Sequence, residues 1–161
     1  PFIGFLYAGL MIDKFGAPRV IEFNVRMGDP ETQPIMLRLK SDLVDLIDAA
    51  LDGRLDKVSA SWDTRAALGV VLAAHGYPGK VRLGDAISGL DADFGADVKV
   101  FHAGTKMEDG EVVTAGGRVL TVCALGDDFA AAQKRAYEAV RKIKADGLFC
   151  RRDIGWRAIK R

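Results

Sequence analysis

Glu22-Phe23-Asn24-Val25-Arg26-Met27-Gly28-Asp29-Pro30-Glu31-Thr32-Gln33 is the stretch on which the reading of this chain turns. Apolar residues alternate with a carboxylate, an amide and a guanidinium; a glycine then breaks the pattern and a second acidic cluster follows. Side chains in a strand alternate sides, so Glu22, Asn24 and Arg26 are expected on one face, with Ile21, Phe23 and Val25 on the other, toward a core. Packing alone needs no polar groups there. Glu22 and Asn24 stand about 7 Å apart at the backbone, from ~3.3 Å of rise per residue, near enough to hold one or two cations jointly. Both are hard oxygen donors that suit Mg²⁺, and an arginine beside them suits a phosphoryl or carboxylate oxygen. A solvated polar face explains the same spacing more simply. Arg26 could pair with Glu22 or Asp29, and Asp29 and Glu31 could open the next helix, where acidic side chains suit the dipole. Spacing alone leaves both readings open.

Upstream, residues 2–13 are rich in Phe, Ile, Leu and Tyr, and residues 19–25 resume a strand pattern, which predicts an antiparallel hairpin turning near Lys14 to Pro18. Downstream, Pro34 to Leu39 reads as a short apolar turn. Asp42 to Leu51 has apolar residues at helical spacing, with Ser41 as N-cap and Gly53 as the stop. Asp56 to Arg65 is a polar connection. Leu68 to Ala74 is a buried-strand run, and further strands are expected over Asp97 to Lys106, Glu111 to Thr114 and Arg118 to Leu125. Met107-Glu108-Asp109-Gly110 is a hairpin turn, because Asp-Gly accommodates positive φ. Asp127 to Lys144 reads as one amphipathic helix with Phe129, Ala132, Ala136, Val140 and Ile143 on its apolar face. Strands, helices, strands and a helix in that order imply an α+β fold and not a doubly wound sheet.

Composition narrows the classes. The 161 residues suffice for one good-sized domain or two small ones, and 49% hydrophobic with 28% charged residues is ordinary globular usage. A net charge of +1 supplies no overall field for nucleic acid or a membrane surface, so an anionic ligand must be held by locally placed groups. Cys123 and Cys150 lie in apolar contexts without metal spacing and read as reduced thiols, and no apolar run is long enough to cross a bilayer. A cytoplasmic protein is expected. Pro1-Phe2-Ile3-Gly4 begins directly in strand-like sequence, and the chain reads as the carboxy-terminal part of something longer.

A second candidate is Ala115-Gly116-Gly117-Arg118. Paired glycines before an arginine let the backbone approach an anion while the guanidinium forks onto its oxygens; a glycine-containing turn with an exposed arginine fits as well. His102, Gly104 and Lys106 are expected to share a strand face. His102 and His75 read as packed or hydrogen-bonded histidines, and Arg151, Arg152 and Arg157 as a solvated or ion-paired surface.

The segments IEFNVRMGDPETQPIMLRLKSDLV, GFLYAGLMID, GVVLAAHGYPG, KVFHAGTK, GEVVTAGGRVLTVCALGDD and FCRRDIGWRAI together resemble the phosphoribosylamine–glycine ligases of the ATP-grasp superfamily. The resemblance covers essentially the whole chain, with several independent segments in order. It implies that glycine is joined to 5-phospho-β-D-ribosylamine in purine synthesis, with ATP converted to ADP and phosphate through glycyl phosphate. It implies Glu22 and Asn24 as Mg²⁺ or Mn²⁺ ligands. Arg26 is placed where the transferring phosphoryl group meets the glycine carboxylate, Asp29 at phosphoribosylamine, and Arg118, helped by Gly117, at the ribose 5-phosphate. Residues 1–65 are then expected to finish the ATP-grasp catalytic domain, and residues 66–161 to form a small β-rich carboxy-terminal domain with one long helix.

The family's ATP-holding lysines and glycine-rich lid precede the matched segments, so this chain alone is expected to lack ligase activity and to need the amino-terminal part of the same enzyme. Two other readings are a different ATP-grasp purine or biotin-carboxylase-like ligase, and a non-catalytic module derived from the fold. GDPETQP and DIGWRAI argue against the first, and intact Glu22, Asn24, Arg26 and Arg118 against the second.

Overall fold

The carboxylate of Asp13 organises the first turn. Its Oδ1 accepts hydrogen bonds from the Phe15 (2.8 Å) and Ala17 (3.0 Å) amides, and the Asp13 amide donates to the Ala17 carbonyl at 3.1 Å. Strands β1 (Tyr7–Ile12) and β2 (Pro18–Asn24) pair antiparallel around it, as the pattern predicts. Pairing passes from Gly9↔Glu22 to Leu10↔Val20, leaving Ile21 as an extra residue in a β-bulge.

The computed structural model describes residues 2–160, which divide into two units. The first comprises the residues up to Thr32 together with Leu39–Asp63. It holds the β1–β2 hairpin, α2 (Leu43–Leu51) and a 3₁₀ turn at Leu55–Lys57. The expectation that Ile21, Phe23 and Val25 face a core is not met: they are 63%, 61% and 72% exposed. Among the described residues no third strand joins this two-stranded sheet, so neither of its faces is covered as a core would require. In α2 the N-cap is Asp42, whose Oδ1 accepts from the Val44 amide at 2.8 Å, and not Ser41. Ser41 Oγ instead accepts from the Ser61 amide at 2.7 Å, drawn away by the returning chain. Past Leu51 the Gly53 amide closes onto the Ala50 carbonyl, ending the helix where expected.

The second unit comprises Gln33–Arg38, the bulk of α1 (Thr32–Arg38), and the residues from Thr64 onward. Its main sheet has the order β3 (Ala66–Ala73), β7 (Arg118–Gly126), β4 (Val98–His102), all antiparallel. The aliphatic run of β7, central and paired on both edges, is its core: Val119, Leu120, Val122, Cys123 and Ala124 are fully buried. Helix α3 (Phe129–Val140) lays Ala132, Ala136 and Ala139 on one sheet face, capped by Asp128, whose Oδ1 accepts from the Ala131 amide at 2.7 Å. Small residues there let the helix lie close. On the other face Gly69 leaves space that Pro34 occupies.

Two expected elements are shorter than their patterns. The strand anticipated over Asp97 to Lys106 divides into β4 and β5 (Thr105–Glu108), because at Ala103-Gly104 the chain turns and the Gly104 amide donates to the Arg118 carbonyl at 2.8 Å. Lys106 therefore leaves the strand of His102, pairs with Val113 across β6 (Glu111–Thr114) and bridges to Glu108 at 2.7 Å. The β5–β6 turn has positive φ at both Asp109 (49°) and Gly110 (84°), the two-residue hairpin geometry Asp-Gly favours. Helix α3 ends at Val140, before Lys144, because Lys144 forms a bridge with Ser88 that pulls the chain out of helical register. A short helix, α4 (Trp156–Ile159), follows. Among the described residues no helix is long and apolar enough to cross a membrane.

Candidate functional site

Glu22, Asn24, Arg26 and Asp29 lie in the first unit, Gly117 and Arg118 in the second.

In the hairpin, Glu22 pairs with Gly9 and Asn24 with Tyr7, so the two candidate ligands occupy alternate positions after the bulge and share a face. Gly9 matters to Glu22: a Cβ there would stand 3.2 Å from Glu22 Cγ, so the absence of a side chain lets the carboxylate arm lie across the partner strand. Neither the Glu22 nor the Asn24 side chain spends its oxygens on a hydrogen bond or ion pair among the described residues. Arg26 departs from its expected place. The strand ends at Asn24 and the chain bends, so alternation does not carry to residue 26, and Arg26 Nη1 donates to the Met27 carbonyl at 2.9 Å.

The acidic segment is anchored behind this bend. Gly28 is buried, and a Cβ on it would stand 2.5 Å from Glu31 Oε2 and 2.8 Å from the Tyr7 ring. Both the hydroxyl (2.5 Å) and the amide (3.1 Å) of Thr32 donate to the Gly28 carbonyl, and Asp29 is carried exposed on the resulting turn.

A divalent cation fits the donor set at Glu22 and Asn24. Both offer hard oxygens with no competing partner, and Mg²⁺ is ordinarily held by one or two carboxylates with substrate phosphates and water completing its shell. The described residues contain no cluster of three or more His, Cys, Asp or Glu able to hold a metal.

At Gly117–Arg118 the glycines do something the sequence did not reveal. Pairing runs Leu72↔Leu120 and then Ala73↔Arg118, making Val119 the extra residue of a second bulge and fully buried. The Gly104 amide donates to the Arg118 carbonyl (2.8 Å), the Ala103 amide to Val119 (3.0 Å), the Ala74 amide to Gly117 (2.9 Å) and the Ala115 amide to Gly104 (2.7 Å). A Cβ on Gly104 would meet the Arg118 carbonyl oxygen and Gly116 Cα, each at 2.7 Å. The glycines thus let two connections touch backbone to backbone, and Arg118 emerges from that junction half-buried. His102 Nδ1 lies 3.0 Å from Thr105 Oγ1, consistent with a hydrogen-bonded histidine.

The basic tail is ion-paired at Arg151, which holds Asp153 through two hydrogen bonds of 2.9 and 2.7 Å and keeps that carboxyl below its ordinary range. Tyr137 clamps the same loop, its hydroxyl donating to the Arg151 carbonyl at 2.7 Å and accepting from the Ile154 amide at 3.1 Å. Both cysteines are free, and burial pushes the Cys123 thiol up to about 12.

The family model for the phosphoribosylglycinamide synthetase C domain matches residues 67–157, and that for the ATP-grasp (A) domain of the same synthetase matches residues 1–32. The chain belongs to the phosphoribosylglycinamide synthetase family. It is 65% identical over 161 residues to the phosphoribosylamine–glycine ligase of Escherichia coli strain CFT073, covering 99% of this chain and 38% of the relative. It is 60% identical over 160 residues to the ligase of that name from Vibrio cholerae, covering 99% of this chain and 37% of that one. The chain thus spans under two-fifths of the length of the curated synthetase relatives it matches. Among solved structures it resembles the Thermotoga maritima phosphoribosylamine–glycine ligase, with a TM-score of 0.77 and 36% identity over 92% of this chain and 36% of that one. The biotin carboxylase domain of Hydrogenobacter thermophilus 2-oxoglutarate carboxylase, solved with MgADP, ADP and bicarbonate, shares the fold at a TM-score of 0.63 and 16% identity, over 89% of this chain and 32% of that one. The expected α+β fold of the ATP-grasp type is borne out.

Proposed function

We propose that this chain is the carboxy-terminal portion of a cytoplasmic phosphoribosylamine–glycine ligase, with residues 1–65 completing the ATP-grasp catalytic domain and residues 66–161 forming the carboxy-terminal domain. The observation that carries the reading is the pair Glu22 and Asn24, oxygens unengaged and on one strand face, in a chain of this family. The substrates are ATP, glycine and 5-phospho-β-D-ribosylamine.

The chemistry sets what the residues must do. A glycine carboxylate oxygen attacks the γ-phosphorus of ATP, the bond to the β-phosphate oxygen breaks, and glycyl phosphate and ADP result. The amine nitrogen of phosphoribosylamine then attacks the acyl carbon, phosphate departs, and the nitrogen loses a proton to give glycinamide ribonucleotide. Both steps bring anions or electron-rich groups together, so positioned positive charge matters more than a strong base. Glu22 and Asn24 would hold Mg²⁺ or Mn²⁺, which neutralises nucleotide phosphate charge when bound. Arg26, reoriented from the Met27 carbonyl, supplies a guanidinium to the transferring phosphoryl group and the glycine carboxylate. Asp29, exposed on its turn, contacts phosphoribosylamine. Arg118 takes the ribose 5-phosphate, and Gly117 lets the backbone come near it.

In a complete ligase carrying this sequence, Glu22→Gln is expected to lower kcat on the order of 100-fold or more with the fold intact, since loss of a metal-ligand charge removes several kcal/mol of transition-state stabilisation. Glycine-dependent ADP release measures it, and a variant with normal kcat would refute the metal assignment. The 161-residue chain alone is expected to give no turnover in that assay.

A further inference from the structure

We infer that Tyr77 is a positioning residue for the Gly117–Arg118 anion site: its ring forms the surface against which Gly117 rests and so sets where the Arg118 guanidinium is presented. The inference rests on the reading of Arg118 as the phosphate contact. A Cβ built on Gly117 would stand 2.5 Å from Tyr77 Cδ2 and 3.0 Å from Cε2, so ring and glycine backbone are in direct contact with no room between them.

The ring is itself tied to the segment it supports. The Tyr77 amide donates to the Ala74 carbonyl at 3.1 Å, and the Ala74 amide donates to the Gly117 carbonyl at 2.9 Å. Backbone from Tyr77 to Ala74 to Gly117, closed by the ring lying on Gly117, forms a complete circuit. On the next residue the Arg118 carbonyl is pinned by Gly104. Two carbonyls anchor the segment along its length, and the aromatic plane limits its remaining freedom, which is large for a glycine. An arginine presented from a fixed backbone loses less ordering entropy when it forks onto a phosphate. The Tyr77 hydroxyl makes no hydrogen bond among the described residues, so the contribution is the shape of the ring.

Four single variants and one double variant of a complete ligase carrying this sequence test the assignment, each assayed for kcat and for KM toward all three substrates. Tyr77→Ala is expected to raise KM for phosphoribosylamine about tenfold, the scale of one disordered contact, while kcat and KM for glycine and ATP stay put. Tyr77→Phe is expected to restore the original KM. Gly117→Ala, whose methyl strikes the ring, is expected to raise the same KM, but to add nothing in the Tyr77→Ala background, where the space is vacant. An unchanged phosphoribosylamine KM in Tyr77→Ala, or kcat and all three KM values moving together with a lowered Tm, would overturn the proposal. If Tyr77→Ala does not fold, Gly117→Ala decides: a normal KM refutes the contact's role. Arg118→Ala separates the two readings. A raised KM there with a normal one in Tyr77→Ala removes only the positioning role, whereas a normal KM in Arg118→Ala removes the anion site itself.

Discussion

The β1–β2 hairpin and the β3–β7–β4 sheet are both antiparallel and both aliphatic, yet they meet opposite fates. Strand β7 is paired on both edges, covered by α3 on one face and by Pro34 near Gly69 on the other, and its side chains are shut away from water. Among the described residues strand β2 has one partner, and Ile21, Phe23 and Val25 are open to solvent. The same residue types are, among the described residues, core in one sheet, where layers cover both faces, and surface in the other, in a chain that spans under two-fifths of its relatives' length. The candidate metal ligands ride on the uncovered sheet, and the candidate phosphate contact rides on the covered one.

Hydrogen exchange on this chain gives the widest expected contrast. Amides of β7 should open only with global unfolding, which for a domain of ordinary stability means about 5–15 kcal/mol, while β1 and β2 should exchange through small local openings. Equal protection of the two would break the distinction. Thiol reactivity comes next. With its thiol pushed up to about 12 by burial, Cys123 should be alkylated at pH 8 about a thousandfold more slowly than Cys introduced by Phe23→Cys, whose site is exposed. The sign for stability follows from the raised value: the contribution of the protonated thiol is whole below the ordinary 9.0 and is lost as pH climbs toward about 12, so Cys123→Ala should flatten an alkaline unfolding profile. In chemical denaturation, Leu120→Ala should cost about 2–5 kcal/mol and Ile21→Ala no more than about 0.5 kcal/mol. Similar values would mean that the hairpin is packed after all. Smallest is the helix cap: Asp128→Ala should cost about 1 kcal/mol by leaving the Ala131 amide without its acceptor.

Much of this was legible in the residues, and the failures have definite causes. Apolar and strand-forming runs found β1, β2, β3, β6 and β7, and Asp109-Gly110 declared its turn, because these depend on local backbone preference. Ser41 and Asp42 are both good caps, and only the distant Ser61 decides between them. Lys144 looks helical until Ser88, far away in sequence, pairs with it. At the candidate sites Glu22 and Asn24 could be placed on one face by counting, whereas Arg26 could not, since counting does not show where a strand stops. Gly117 was legible as a close approach but not as an approach to Tyr77. An aromatic residue between Gly76 and Pro78 is the one sequence signal that could have pointed there.

Both bulges share a property that alternation hides. The extra residue is Ile21 immediately before Glu22 in one sheet and Val119 immediately after Arg118 in the other. In each case a candidate residue adjoins the point where a regular ladder is interrupted, and such interruptions re-aim side chains.

The backbone junction of Gly104 with Gly116 and Arg118 has a consequence for the routes by which this protein can vary. At most positions a substitution trades one set of atoms for another, and a neighbour can adjust in return. At Gly104 every substitution adds atoms, and what they strike is main chain, which has no smaller version to mutate to. No second-site change of a side chain can therefore restore the fit. The junction is a one-way gate in sequence space, and drift around the Arg118 loop has to proceed everywhere except through it.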